Sequence, residues 1–188
     1  GRVSRFGLVA FASSLDQVGP FANSVADLAL ILQTIAGKDA LDSTSAPIAV
    51  PDYLNELENT DFSTKTIGIP KEYLSDNMQP DIQQQIDLAK DIFRQKGANI
   101  IEVSLPHTDY CIAAYYIICT AEASSNLSRY DGAHYGFRAE NAGDLESMYT
   151  NTRSQGFGAE VKRRIMLGTV VLSSGYYDAY YRRAMRAR

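Results

Sequence analysis

The stretch from residue 64 to 106 constrains the fold most. Lys65-Thr-Ile-Gly-Ile-Pro70 reads as a short strand. From Asp81 to Lys96, the apolar residues Ile82, Ile86, Ala89 and Phe93 recur at helical spacing, and Gly97 ends the run. Asn99-Ile-Ile-Glu-Val-Ser-Leu105 reads as a second strand, closed by Pro106. A strand, a helix and a strand joined by short links predict two parallel strands with a right-handed crossover. An α/β class follows, although nothing in this unit demands chemistry.

The flanks differ in character. In residues 1–63, Gly7 and Gly19-Pro20 mark turns, and Ser24 with Asp27 forms a capping-box variant ahead of a helix through Val25, Leu28, Leu32 and Ile35. Gly37 is a natural stop. Residues 38–63 read as a long polar loop with one helical turn near Tyr53–Glu58. Residues 107–188 read as a helical lobe, with helices over about 109–130, 144–153, 158–173 and 175–188, and a Gly-marked polar loop through Gly132, Gly136 and Gly143.

Composition narrows the function. No apolar run reaches the ~18 residues of a membrane span, and no secretory leader pattern opens the chain. Cys111 and Cys119 lie in an apolar stretch without a nearby histidine, which predicts two buried, reduced thiols and a cytoplasmic setting. His107 and His134 lack metal-ligand spacing and read as surface or loop residues; no metal site is expected. Charge is uneven: residues 1–150 hold 10 Lys/Arg against 20 Asp/Glu, while residues 151–188 hold 8 against 2. The basic end fits an acidic partner or a solvated helix face.

Four polar blocks could bear on function. Ser13-Ser14-Leu-Asp16 pairs hydroxyls with an acid, but no Lys or His stands nearby to activate a serine, so Asp16 is expected to accept loop hydrogen bonds. Glu122-Ala-Ser-Ser-Asn-Leu-Ser-Arg-Tyr-Asp131 fits a buried polar face, a helix–helix contact or a site wall. In Glu160-Val-Lys-Arg-Arg-Ile-Met-Leu-Gly168, the two arginines point about 100° apart. Arg163 shares its face with Glu160, a ready ion-pair partner. Arg164 shares its face with Val161, Gly168 and Val171, where a small glycine leaves room for a ligand and a guanidinium fork suits a carboxylate. A surface pair with snorkelling stems is the other reading. The tail Tyr176-Tyr-Asp-Ala-Tyr-Tyr-Arg-Arg-Ala-Met-Arg fits helix packing with a basic outer face, or single-stranded nucleic acid.

The blocks GRVSRFGLVAFASSLDQVGPF, EASSNLSRYDGAHYGFR, RSQGFGAEVKRRIMLG and LSSGYYDAYYRRA together resemble the amidase signature family, and within it the branch serving tRNA-dependent amidotransferases. The resemblance implies part of an amidase signature fold: a flank of its mixed sheet, the crossover unit and a helical lobe over the substrate pocket. It implies an enzyme that splits glutamine with a Ser–cis-Ser–Lys triad. The released ammonia amidates misacylated Glu-tRNA(Gln) or Asp-tRNA(Asn) in a complex with B and C subunits. All three triad positions are expected before Gly1, so no catalytic residue is carried over. The substrate-binding residues carried over are Tyr115 and Arg164, with Arg164 forking onto the glutamine α-carboxylate. The pocket's acidic residue is expected beyond Arg188. No cofactor is expected in this chain; ATP and Mg2+ would act through a partner subunit. The rivals are another small-amide hydrolase of the family and an interaction module without catalysis.

Overall fold

The computed structural model describes residues 1–74, 78–140 and 143–188. Two compact units are distinguishable, one formed by residues 1–4 and 19–109, the other by residues 5–18 and 110–188.

In the first unit, helix α1 (Val25–Ile35) begins as its sequence requires. The Ser24 hydroxyl accepts from the Asp27 amide at 3.1 Å and donates to the Asp27 carboxylate at 2.8 Å. The helix stops at Ala36, and Gly37 follows with φ +144°. Val3 forms an isolated antiparallel bridge with Ala36, and the Gly37 amide donates to the Arg2 carbonyl.

The segment expected as a long polar loop is tied at several points. Arg2 donates to the Ile48 and Ala49 carbonyls at 3.1 and 3.0 Å. Ser45 is buried, and its hydroxyl bonds the Asp39 amide and the Asp39 and Asp42 carbonyls. Helix α2 (Tyr53–Glu58) is the expected helical turn, and the Tyr53 amide donates to Gln33 of α1 at 3.0 Å.

Strands β1 (Thr66–Pro70) and β2 (Asn99–Val103) pair in parallel around helix α3 (Pro80–Gln95), with Ile67 opposite Ile100 and Ile69 opposite Glu102. The strand–helix–strand reading holds; β2 ends two residues earlier than its apolar run. Gly97, with φ +93°, turns the chain from α3 into β2. Gly68 sits close to the neighbouring strand: a Cβ there would lie 3.0 Å from a Val103 methyl. Beyond this parallel pair and the single bridge, the described residues form no further sheet.

The second unit is helical. Helix α4 (Thr108–Leu127) enters it at Tyr110, and its residues 118–121 are all buried, as are Ala123, Asn126 and Leu127. Its first half is mostly exposed and its second half mostly buried, so its apolar residues form no single stripe. Helix α5 (Leu145–Gly156) is capped by Asp144, whose carboxylate accepts from the Ser147 amide at 2.7 Å. Helix α6 (Ala159–Leu172) follows. The last predicted helix is in fact two pieces, a π-helical turn over Tyr177–Tyr181 and then α7 (Arg182–Ala187). The ring pairs Tyr176–Tyr180 and Tyr177–Tyr181 stack at 5.8 and 5.2 Å, realising the expected i, i+4 spacing. Part of the polar loop expected around Gly132–Gly143 lies outside the described residues.

Candidate functional site

The polar blocks of the second unit converge on the buried half of α4. Residues 11–16 form a tight turn, closed by the Leu15 and Asp16 amides donating to the Ala12 carbonyl at 2.7 and 2.8 Å. The Asp16 carboxylate accepts from the Phe11 and Ala12 amides, both at 3.0 Å, which is the structural role expected for it. Asn126 holds the turn from α4, donating to the Phe11 carbonyl at 3.1 Å and to the Ser13 hydroxyl at 2.8 Å. Glu122, one helical turn earlier, accepts from the Ser14 amide at 2.9 Å and from its hydroxyl.

Ser14 is engaged on both sides. Its hydroxyl donates to Glu122 and accepts from the Arg188 guanidinium. Among the described residues no lysine bonds either serine. Beside the turn lies an open cleft of about 190 Å3, lined by Ser13, Ser14, Glu122, Ser125, Asn126, Leu172 and Tyr181. Burial, and after it the nearby Glu122 carboxylate, push the Tyr181 phenol above its ordinary value.

The Glu122–Asp131 block plays more than one of the roles open to it. Glu122 and Asn126 anchor the turn, while Ser124 bonds Thr169 of α6 at 3.0 Å. The helices touch closely at this level. A Cβ on Gly168 would lie 1.9 Å from the Thr120 carbonyl oxygen and 2.7 Å from the Ser124 Cβ. The structure corrects an expectation here. The glycine on the Arg164 face leaves no room for a ligand, because the α4 backbone fills that space.

Arg164 itself projects from the same face one turn earlier. Its Nε donates to Glu160 Oε1 at 3.0 Å, and its guanidinium lies 5.8 Å from the Phe11 ring centre. Arg163 Nη1 donates to the other oxygen, Glu160 Oε2. The expected Arg163–Glu160 pair is present, but one carboxylate serves both arginines. The Glu160 hydrogen bond raises the Arg164 guanidinium above its ordinary value, so the group stays cationic. The Arg164 side chain is 34% exposed against 69% for Arg163, the more solvated of the two.

Tyr115 lies on α4 near this guanidinium. Its phenol is pushed above the ordinary value, first by a hydrogen bond with the Cys119 thiol and then by that thiol's charge, while Arg164 pulls the other way. The Tyr115 and Tyr116 rings meet edge-on at 5.3 Å. Cys119 is buried as expected, but Cys111 is exposed: it sits in the solvent-facing first half of α4, where apolar neighbours in sequence did not mean burial. His134 is exposed and bonds Asp131 at 2.7 Å. Among the described residues, no group of three His, Cys, Asp or Glu could hold a metal, and no helix is long and apolar enough to cross a membrane.

The Amidase family profile matches residues 1–188. The chain belongs to the amidase family. This amidase chain is 59% identical, over all 188 residues, to the A subunit of the glutamyl-tRNA(Gln) amidotransferase of Syntrophus aciditrophicus, and spans 39% of that protein. Its fold resembles the crystal structure of the corresponding glutamyl-tRNA(Gln) amidotransferase protein of Thermotoga maritima at a TM-score of 0.68 and 37% identity, covering 100% of this chain and 35% of that one. The native peptide amidase of Stenotrophomonas maltophilia is similar at a TM-score of 0.64 and 28% identity, covering 98% of this chain and 37% of the peptide amidase. The amidase chain thus spans about two-fifths of the curated relative's length, and the α/β architecture expected from its sequence is that of the family.

Proposed function

We propose that this amidase chain forms the pocket-wall part of the glutamine-hydrolysing component of a tRNA-dependent amidotransferase. The 59% identity to such a component along the whole chain carries the reading. In that role, glutamine is split by a Ser–cis-Ser–Lys triad contributed by sequence outside residues 1–188. The ammonia passes to a complex with B and C subunits that amidates misacylated Glu-tRNA(Gln) or Asp-tRNA(Asn). ATP and Mg2+ belong to a partner subunit, and the setting is the cytoplasm.

Within the chain, Arg164 and Tyr115 bind substrate. Arg164 keeps its charge, and with Nε tied to Glu160 its terminal nitrogens are the ones left to fork onto the glutamine α-carboxylate. A neighbouring phenol that stays protonated supplies a neutral hydrogen bond. A hydrolase of small or peptide amides is the second reading, favoured by the likeness to peptide amidase. Steady-state kinetics on the full-length protein separate the two. The expected result is efficient glutamine hydrolysis that Arg164→Ala impairs. Turnover of propionamide or of peptide C-terminal amides matching that of glutamine would favour the second reading.

A further inference from the structure

The carboxylate of Glu160 touches no substrate in the reading just given, yet it is the one side chain hydrogen-bonded to the Arg164 guanidinium among the described residues. We infer that Glu160 is a positioning residue: it aims the Arg164 fork at the substrate carboxylate. The inference rests on the assignment of Arg164 to that carboxylate.

Three observations carry it. First, the contact uses Nε, at 3.0 Å, rather than a terminal nitrogen. A guanidinium held by its Nε edge is restrained about its last side-chain torsions, and its Nη groups stay available for a two-pronged contact. Second, Glu160 is itself restrained. It sits in the first turn of α6, where the helix N-terminus favours a negative group, and Arg163 binds its other oxygen. Third, the guanidinium lies over the Phe11 ring, which leaves it a floor on one side and the Glu160 edge on another. Arg163 thereby acquires a task of its own, since it pins the carboxylate that pins Arg164.

Charge and geometry predict opposite signs for the loss of Glu160. Removing a negative group near the substrate carboxylate would, by charge alone, tighten glutamine binding. Releasing Arg164 from its fixed orientation would weaken it, because the ordering cost then falls on the binding step.

The test is a double-mutant cycle on the full-length amidotransferase, with KM, kcat and calorimetric glutamine affinity measured for Glu160→Ala, Glu160→Gln, Arg164→Ala and the double alanine variant. Glu160→Ala is expected to raise KM about 5-fold while kcat changes less than about 2-fold. Glu160→Gln keeps an acceptor for Nε and should recover most of that loss. In the Arg164→Ala background, the further change to Glu160→Ala should shift KM by less than about 1.5-fold, because the residue acts through Arg164. An unchanged or lowered KM in Glu160→Ala, or an equal effect with and without Arg164, would overturn the inference while leaving the Arg164 assignment standing. If Arg164→Ala leaves glutamine KM and affinity intact, the assignment itself fails, and the inference falls with it.

Discussion

Gly168 on α6 and Thr120 on α4 meet backbone to backbone. A Cβ on the glycine would sit 1.9 Å from the Thr120 carbonyl oxygen, far inside van der Waals contact. Both residues are buried, and the neighbouring Ser124–Thr169 hydrogen bond at 3.0 Å fixes the same crossing. Arg164 lies one turn away on α6, so the crossing also sets where its side chain starts.

Gly168→Ala is therefore expected to destabilise the protein. The nearest atoms to the added methyl belong to the Thr120 backbone, which cannot rotate aside, so the helices must separate. A cost of about 3 kcal/mol is expected, the upper part of the range for overpacking. Chemical denaturation of the full-length protein checks it, and a midpoint equal to that of the wild type would refute it.

Arg164→Ala and Arg163→Ala should differ in kinetics. A charge-assisted contact is worth about 1.5–3 kcal/mol, so losing it at Arg164 should lower kcat/KM for glutamine about 10- to 150-fold. Arg163 is more exposed and pairs with Glu160, so its loss should cost only a few-fold. Glutaminase kinetics on both variants decide; equal losses would refute the assignment, and a larger loss at Arg163 would place the pocket on the other face of α6.

Ser14→Ala should leave glutamine hydrolysis within about 3-fold of wild type: the bonds it removes, to Glu122 and Arg188, are charge-assisted and worth about 1.5–3 kcal/mol each, but they hold the turn and not the substrate. The Ser14 hydroxyl is engaged by Glu122 and Arg188, and its amide bond to Glu122 survives the substitution. Loss of all activity in a folded variant would make Ser14 a participant in the chemistry.

Acid should loosen the turn at Asp131. Its carboxylate accepts from the Ala133 and His134 amides at 2.9 and 2.8 Å, and the His134 contacts foremost hold it far below the ordinary range. A depressed folded-state value means that the contribution is complete above the unfolded value, about 3.9, and is lost as pH falls through the folded one. The Asp131 side-chain carboxyl carbon resonance should accordingly show that group's own protonation step only below about pH 4. A midpoint near the unfolded value or above it would contradict the turn.

Local signals were the legible part of this chain. Ser24 with Asp27, Gly97 and the apolar spacing of α3 act within a few residues, so their physics is written in neighbouring letters. The contacts that build the candidate site are long-range. Glu122 meets Ser14 across 108 positions of sequence and Asn126 meets Phe11 across 115, and no periodicity encodes either. Gly168 shows the ambiguity directly, since a missing side chain admits a ligand or a helix equally and only the packing of α4 decides. Cys111 shows the converse: its apolar setting on α4 predicted burial, but that half of the helix faces outward.

The turn at residues 11–16 gives Arg164 a dependence that its own helix does not reveal. Asn126 of α4 holds the Phe11 carbonyl, Asp16 holds the Phe11 amide, and the Phe11 ring lies under the guanidinium. If Arg164 binds substrate as proposed, drift in selectivity among related sequences would originate at positions 16 or 126 as readily as at Arg164 itself. A survey of variants confined to the pocket would overlook them.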